Sequence, residues 1–482
     1  MILVRSGSVL GIEGFLIDVE VDVRSGLPGF EIVGLPSKTV KESRERVRSA
    51  LRNSGFSFPA QKVVVNLAPA HYRKDGALFD LAIAIGILAH LGVVSKHKIS
   101  RYLFAGELSL SGALKPINGV LSLAELARQE NLGFVLPAEN GPEASIMGLG
   151  SIVPVSSLNH LIEVLNHGKQ PQKLPKQSFS SKVVPYTGPP IKGQYQAKRA
   201  LTIGAAGRHH MMLIGSPGVG KTLLAKSALS LLPSLSLDEA IEVSKVYGAA
   251  NLNRPEDGLI TKRPFRAPHH TASKVALIGG GQKGKPGEVT LAHRGILLLD
   301  EFPEFSLAAL QALREPLDSK SVEISRAHYT VTYPADFWLI ATANPCPCGY
   351  FGSQVRECTC STQDLNRYRR KLSGPLLDRF QLFCFLGPLS EAELSSTASN
   401  MAWPPKNTKP VVSNSSRIRM DQKAEQFLLS AQQKLRMSVR GYHTTIQVAK
   451  TIAQLENENT VKVEHIGEAL QYRPEIHLSL IY

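Results

Sequence analysis

The sequence predicts an α/β protein with a phosphate-binding loop in its second half, and three observations carry this. Short, wholly apolar runs such as Ile296–Leu299 have the pattern of strands buried on both faces. Between them lie segments with helical spacing, so strands and helices alternate over residues 191–388. The glycine-rich octapeptide Gly215-Ser-Pro-Gly-Val-Gly-Lys-Thr222 follows a strand-like run at 210–214 and opens a helical run at 223–232 that stops at Pro233.

At 482 residues the chain is long enough for about three domains. Residues 1–165 mix strand-like runs (15–23, 62–67, 134–136) with helical ones (37–53, 78–91, 119–129), which gives an α/β or α+β domain. Residues 166–190 are rich in Lys, Gln, Ser and Pro without acidic residues and form a linker. Residues 191–388 hold the glycine-rich loop, and 389–482 form a helical domain whose clearest segments are 424–435 and 444–455.

Hydrophobic residues make up 43% and charged residues 20%, the balance of a globular protein with ample core. The apolar window 77–94 contains Asp80 and His90, and a buried helix fits it better than a membrane span. No targeting segment is visible, and five cysteines with four of them clustered do not form a secreted disulfide framework. The expectation is a cytoplasmic protein without a membrane partner. Lys and Arg number 55 against 40 Asp and Glu; the net charge of +15 points to an anionic partner, nucleic acid first, or to a solvated basic surface.

The octapeptide has the chemistry of a nucleotide phosphate loop. Gly215, Ser216, Pro217, Gly218, Val219 and Gly220 let backbone N–H groups converge on phosphate at a helix N-terminus. Lys221 then reaches the β- and γ-phosphates of ATP, and the Thr222 hydroxyl ligates Mg²⁺. About 80 residues on, the run Ile296–Leu299 ends in Asp300, which would hold the Mg²⁺, and Glu301, which would activate the attacking water. A third strand-like run at 337–342 leads to Asn344, placed either to position that water or as a turn residue before Pro345.

Cys346, Cys348, Cys358 and Cys360 form two Cys-x-Cys pairs nine residues apart. Four thiolates suit tetrahedral Zn²⁺; the competing reading is four reduced structural cysteines. Basic loops supply candidate DNA contacts: Lys283 and Lys285 in a glycine-rich stretch, and Arg326 and His328 near the turn of a hairpin at 321–333. Solvated loops are the alternative for each.

These residues together resemble the magnesium-chelatase-like AAA+ ATPases, and specifically the ComM/YifB family. The resemblance spans nearly the whole chain and rests on Arg263-Pro-Phe-Arg-Ala-Pro-His-His270, Pro286-Gly-Glu288, Leu299-Asp-Glu-Phe-Pro-Glu-Phe305, Asn344-Pro-Cys-Pro-Cys-Gly349 and Leu376-Leu-Asp-Arg-Phe380. It implies an AAA+ P-loop core with a helical lid, and a homo-hexameric motor that translocates on DNA, single-stranded and branched, and moves junctions during recombination in natural transformation. It implies that Arg379 enters a neighbouring subunit's site as an arginine finger, and that Asn344 and Arg440 act as sensors within their own subunit. Near 444–450, where the family has more arginine, this chain reads Thr-Thr-Ile-Gln-Val-Ala-Lys.

The first domain resembles the proteolytic domain of Lon-type proteases, of ribosomal S5 domain 2-like fold. Leu78 stands where that family has its nucleophile, and Leu121 where it has its lysine. A leucine can neither attack a carbonyl nor accept a proton, so the resemblance implies a non-proteolytic domain. The remaining alternatives are the motor subunit of a metal chelatase that inserts Mg²⁺ into a porphyrin, and a nucleotide-gated scaffold without hydrolysis.

Overall fold

The computed structural model describes residues 1–70, 74–168, 179–181, 183–252, 258–281, 284–326, 329–353, 356–371, 376–389, 403 and 418–477, with the backbone alone at Arg369. The chain forms two compact units. One comprises Met1–Ser180, Leu237–Ile260 and Glu323–Tyr333; the other comprises Ser181–Ser236, Thr261–Val322 and Pro334–Tyr482.

The first unit is built on a seven-stranded mixed sheet in the order Gly29–Val33, Lys62–Ala68, Glu13–Arg24, Ile2–Leu10, Tyr102–Phe104, Gly133–Pro137, Ile152–Val155. Period-2 alternation sets its faces: Val63, Val65 and Leu67 are buried while their neighbours are only partly covered. The helix Asp80–His90 is buried at every position up to Ala89, so the apolar window is a core helix. No helix among the described residues is long and apolar enough to cross a membrane.

Two segments from later in the chain join this unit. The helix Leu237–Ala249 packs on Val120–Gln129, and the Lys245 ammonium pairs with the Glu125 carboxylate. Val331, from the second strand of the hairpin Ser321–Arg326/Tyr329–Pro334, covers Gly11. A Cβ at Gly11 would stand 2.4 Å from the Val331 Cγ1 atom, and φ is +67° there, so both sterics and backbone require glycine.

The second unit holds a five-stranded, all-parallel sheet in the order Phe265–Arg266, Ile296–Leu299, Trp338–Ala343, Met211–Gly215, Leu382–Leu386. Every residue of Met211–Gly215, Ile296–Leu299 and Trp338–Ala343 is buried, as expected of strands covered on both faces. The helices Gln422–Leu435, Val439–Leu455 and Val463–Gln471 send Leu428, Val448, Ile452 and Ile466 into the same core as Met211, Leu213, Trp338 and Ile340.

Register brings three strand ends together. Ile214 pairs with Ala343, and Leu299 pairs with Ala341, so the segments after Gly215, Leu299 and Ala343 emerge side by side at one edge. Ligands in open α/β sheets bind at this carboxyl edge. At the opposite edge Asp336 gathers Arg208 (3.1 Å), Arg294 (3.0 Å) and Lys320 (3.2 Å), tying the amino ends of three strands to the base of the hairpin.

Candidate nucleotide site

The phosphate loop leaves the strand Met211–Gly215 and enters the helix Lys221–Ser227, which runs on as a 3₁₀ turn over Ala228–Leu231. Gly218 and Gly220 have φ of +82° and +92°, and among the described residues nothing beyond their immediate chain neighbours lies within 4 Å of where a Cβ would stand at either. The loop therefore keeps a backbone-lined space in front of a helix N-terminus, which fits a phosphate chain.

Lys221 lies across this loop. Its ammonium donates to the carbonyls of Gly215 (2.6 Å) and Ser216 (3.0 Å) and to the Asn344 Oδ1 atom (2.9 Å). Burial pushes its pKa down, against the attraction of Asp300 and Glu301. The structure thus brings the lysine and Asn344, 123 residues apart, into direct contact.

Asp300 and Glu301 stand beside them. The Thr222 hydroxyl donates to both Asp300 oxygens, at 3.2 and 3.0 Å. A hydroxyl and a carboxylate so placed are hard oxygen donors of the kind Mg²⁺ takes, so the pair fits that ion. Glu301 adopts φ +54°, a left-handed conformation uncommon for a residue with a side chain. Its N–H donates to the Thr342 hydroxyl at 3.0 Å, and Thr342 in turn donates to Asp300. The half-exposed Glu301 carboxylate has Oε2 3.4 Å from the His270 Nδ1 atom.

Thr342 and His270 are the site residues that the sequence reading missed. Thr342 is a β-branched residue in an apolar strand, and only strand pairing reveals its position behind the two carboxylates. His270 did carry a signal, as the last residue of the motif Arg263-Pro-Phe-Arg-Ala-Pro-His-His270. The rest of that motif is bracing: Arg263 donates to the carbonyls of Pro233 and Arg294, and Arg266 forms a two-pronged pair with Glu288 at 2.6 and 2.7 Å.

The cysteine segment adjoins this site. Cys346 follows Asn344 by two residues, and Gly349, at φ +86°, packs so closely on Pro217 of the phosphate loop that a Cβ would come within 2.6 Å of it. The four Sγ atoms lie within 4.8 Å of one another. Cys346 and Cys348 are 3.3 Å apart, Cys346 and Cys358 3.7 Å, and Cys348 and Cys358 3.5 Å. Four sulfurs about 2.3 Å from a central zinc would be separated by about 3.8 Å, so the cluster fits that ion. Backbone N–H groups of Gly349 and Phe351 donate to the Cys346 sulfur and that of Cys348 to the Cys360 sulfur, as suits thiolates.

The two arginines meet elsewhere, on Asp318. Arg379, nearly buried, donates through Nε to Asp318 Oδ1 at 3.0 Å and pairs through its terminal nitrogen with Oδ2. Arg440, in the first turn of Val439–Leu455, reaches the same Oδ1 at 3.2 Å. Of the candidate DNA contacts, Lys285 is exposed on the short strand Lys285–Pro286, and Arg326 is exposed at the end of its hairpin strand. Lys283 and His328 lie outside the described residues. In the first unit Leu78 packs against the hydrophobic core and Leu121 is buried.

Three family models match the chain. The model described as magnesium chelatase, subunit ChlI, matches residues 189–394. A second for subunit ChlI of Mg-chelatase matches 19–140, and the ChlI C-terminal model matches 402–473. Competence protein ComM of Haemophilus influenzae is 39% identical over 99% of this chain and 98% of its own length. The uncharacterized protein YifB of Escherichia coli is 37% identical over 98% and 96%. A more distant similarity, 22% identity over 62% of this chain and 34% of the relative, is to the DNA replication licensing factor Mcm2 of Drosophila melanogaster. With its nucleotide motifs gathered at one edge of a parallel sheet and this whole-length likeness, the chain belongs to the ComM/YifB family of magnesium-chelatase-like AAA+ ATPases.

Proposed function

We propose that this protein is an ATP-hydrolysing motor that works on DNA as a homo-hexamer and drives branch migration during recombination in natural transformation. The observation that carries the reading is a division of labour within one chain. Lys221, Thr222, Asp300, Glu301 and Asn344 adjoin one another, whereas Arg379 and Arg440 are held together on Asp318. A site with an ammonium but with its guanidinium on another carboxylate is completed by a second copy, in which Arg379 enters a neighbour's site.

In this reading the phosphate loop binds the nucleotide, and the Lys221 ammonium offsets the negative charge that shifts toward the β–γ bridging oxygen. Asn344 holds Lys221 on one side and faces the attacking water on the other. The Glu301 carboxylate takes that water's proton, while the Thr342 hydroxyl fixes the strained backbone that aims it. Thr222 and Asp300 would hold Mg²⁺, which when bound would supply positive charge to offset that of the phosphates. The cysteine cluster, as a zinc site, would brace Asn344 and the loop from behind. Residues 1–165 serve as a non-proteolytic assembly or DNA-binding domain, joined through 166–190 to the core 191–388 and lid 389–482.

DNA as the partner is supported by the net charge of +15, by exposed Lys285 and Arg326, and by the likeness to a protein named for competence. The second reading, a metal-chelatase motor, is supported by the description of the matching family models. ATPase rates with single-stranded, duplex and four-way DNA separate the two. The motor reading expects stimulation that weakens steeply with salt and disappears when Lys283, Lys285 and Arg326 are neutralised, with basal turnover kept. No change with any DNA at low salt would favour the chelatase.

A further inference from the structure

The Asp318 carboxylate is the meeting point of two arginines from distant parts of the chain. Arg379 follows it by 61 residues and Arg440 by 122. Both reach the same oxygen, Oδ1, so the two guanidinium groups lie within a few ångströms of each other. Two like charges brought this close repel unless an anion stands between them. The pairing holds the Asp318 carboxyl below its usual range, against a burial effect that acts upward.

A brace for the fold would need only one arginine. Asp318 itself is half exposed and so is Arg440, and an exposed ion pair such as theirs adds little to stability. What the arrangement does achieve is orientation. The fork of Arg379 is engaged in a two-pronged pair through Nε and a terminal nitrogen, which fixes the plane of its guanidinium. Asp318 also stands two residues before Lys320, whose carbonyl accepts from the Ala335 N–H at 2.7 Å where the hairpin closes. The carboxylate that orients the arginines is therefore fixed to the base of that hairpin.

We propose that Asp318 is a positioning residue for hydrolysis: it sets the plane of Arg379 for presentation to a neighbouring subunit's terminal phosphate, with Arg440 held on the same carboxylate. The proposal rests on the reading of Arg379 as an arginine finger. It acts on the rate of the chemical step, in which charge on the terminal phosphate is stabilised.

The test is steady-state ATP hydrolysis by the assembled full-length protein, comparing Asp318→Asn, Asp318→Glu, Arg379→Ala and the Asp318→Asn/Arg379→Ala double variant. Asp318→Asn should lower kcat about tenfold with KM for ATP within about twofold, and Asp318→Glu should recover most of the loss. The double variant should be no slower than Arg379→Ala alone, since residues that act as a unit are not additive. Unchanged kcat in Asp318→Asn beside a dead Arg379→Ala would overturn the role of Asp318 while leaving the finger intact. A double variant slower by the product of the two losses, or a kcat loss that tracks lost thermal stability, would also overturn it. Normal turnover by Arg379→Ala would remove the finger reading itself, and this proposal with it.

Discussion

Replacing Thr342 by valine tests the site where its geometry is least expected. The two side chains have nearly the same shape, and Thr342 is buried, so the change removes a hydroxyl without opening a cavity. Two hydrogen bonds go with it. The one donated to the Asp300 carboxylate, a bond to a charged group, is worth about 1.5–3 kcal/mol. The other is accepted from the Glu301 N–H, which would be left unpaired at a cost of about 1–3 kcal/mol. Part of this loss falls on the fold and part on the alignment of Glu301, whose backbone at φ +54° is held by that bond. If about 2–3 kcal/mol reaches the transition state, kcat for ATP hydrolysis falls about 30- to 150-fold. Thr342→Ser, which keeps the hydroxyl, should lose far less. Steady-state turnover under conditions where Glu301→Gln is strongly impaired is the assay. A Thr342→Val enzyme within twofold of the parent would refute the claim that this hydroxyl aligns the two carboxylates.

Two other predictions concern parts of the same unit. Protein purified without added zinc should carry about one Zn²⁺ per chain by elemental analysis, released in Cys348→Ser/Cys358→Ser with a fall in turnover, because Asn344 and Pro217 lie against the cluster; four titratable thiols and no metal would end this assignment. His209 is buried and His210 half-buried, and burial pushes the pKa of each down to about 4. With folded values below the unfolded 6.5, their stability contribution is present above pH 6.5 and is lost as pH falls toward 4, on the order of 2 kcal/mol each by pH 5. Thermal unfolding should shift accordingly between pH 7 and 5, and His210→Asn should lose about half of that dependence; a flat profile in the parent protein would contradict the burial of these rings.

What could be read from the sequence was local. The phosphate loop announces itself because strand, glycines, lysine and helix are contiguous, and Asp300 and Glu301 because they end an apolar run. The Cys-x-Cys pairs are near one another in the chain, so their closeness in space was expected. Residues defined by strand register or by distant partners were not legible. Thr342 looks like any β-branched strand residue until Leu299 is set beside Ala341. Asp318 looks like the end of a solvated helix, since both its partners are more than 60 residues away. The helix Leu237–Ala249 lies between two nucleotide motifs in the chain, yet belongs to the first compact unit, through contacts with Val120–Gln129 that no local pattern encodes.

The central claim is that a second copy of the chain completes each catalytic site, and subunit mixing tests it most directly. Lys221→Ala cannot serve its own nucleotide but still offers Arg379; Arg379→Ala has an intact loop but offers no finger. Each variant alone should hydrolyse ATP at a small residual rate. Mixed in equal amounts and allowed to assemble, about a quarter of the interfaces in a closed ring would join an intact loop to an intact arginine. Turnover should then rise well above the mean of the two variants, in the presence of DNA most of all. A mixture that hydrolyses no faster than that mean, with assembly verified, would contradict the account.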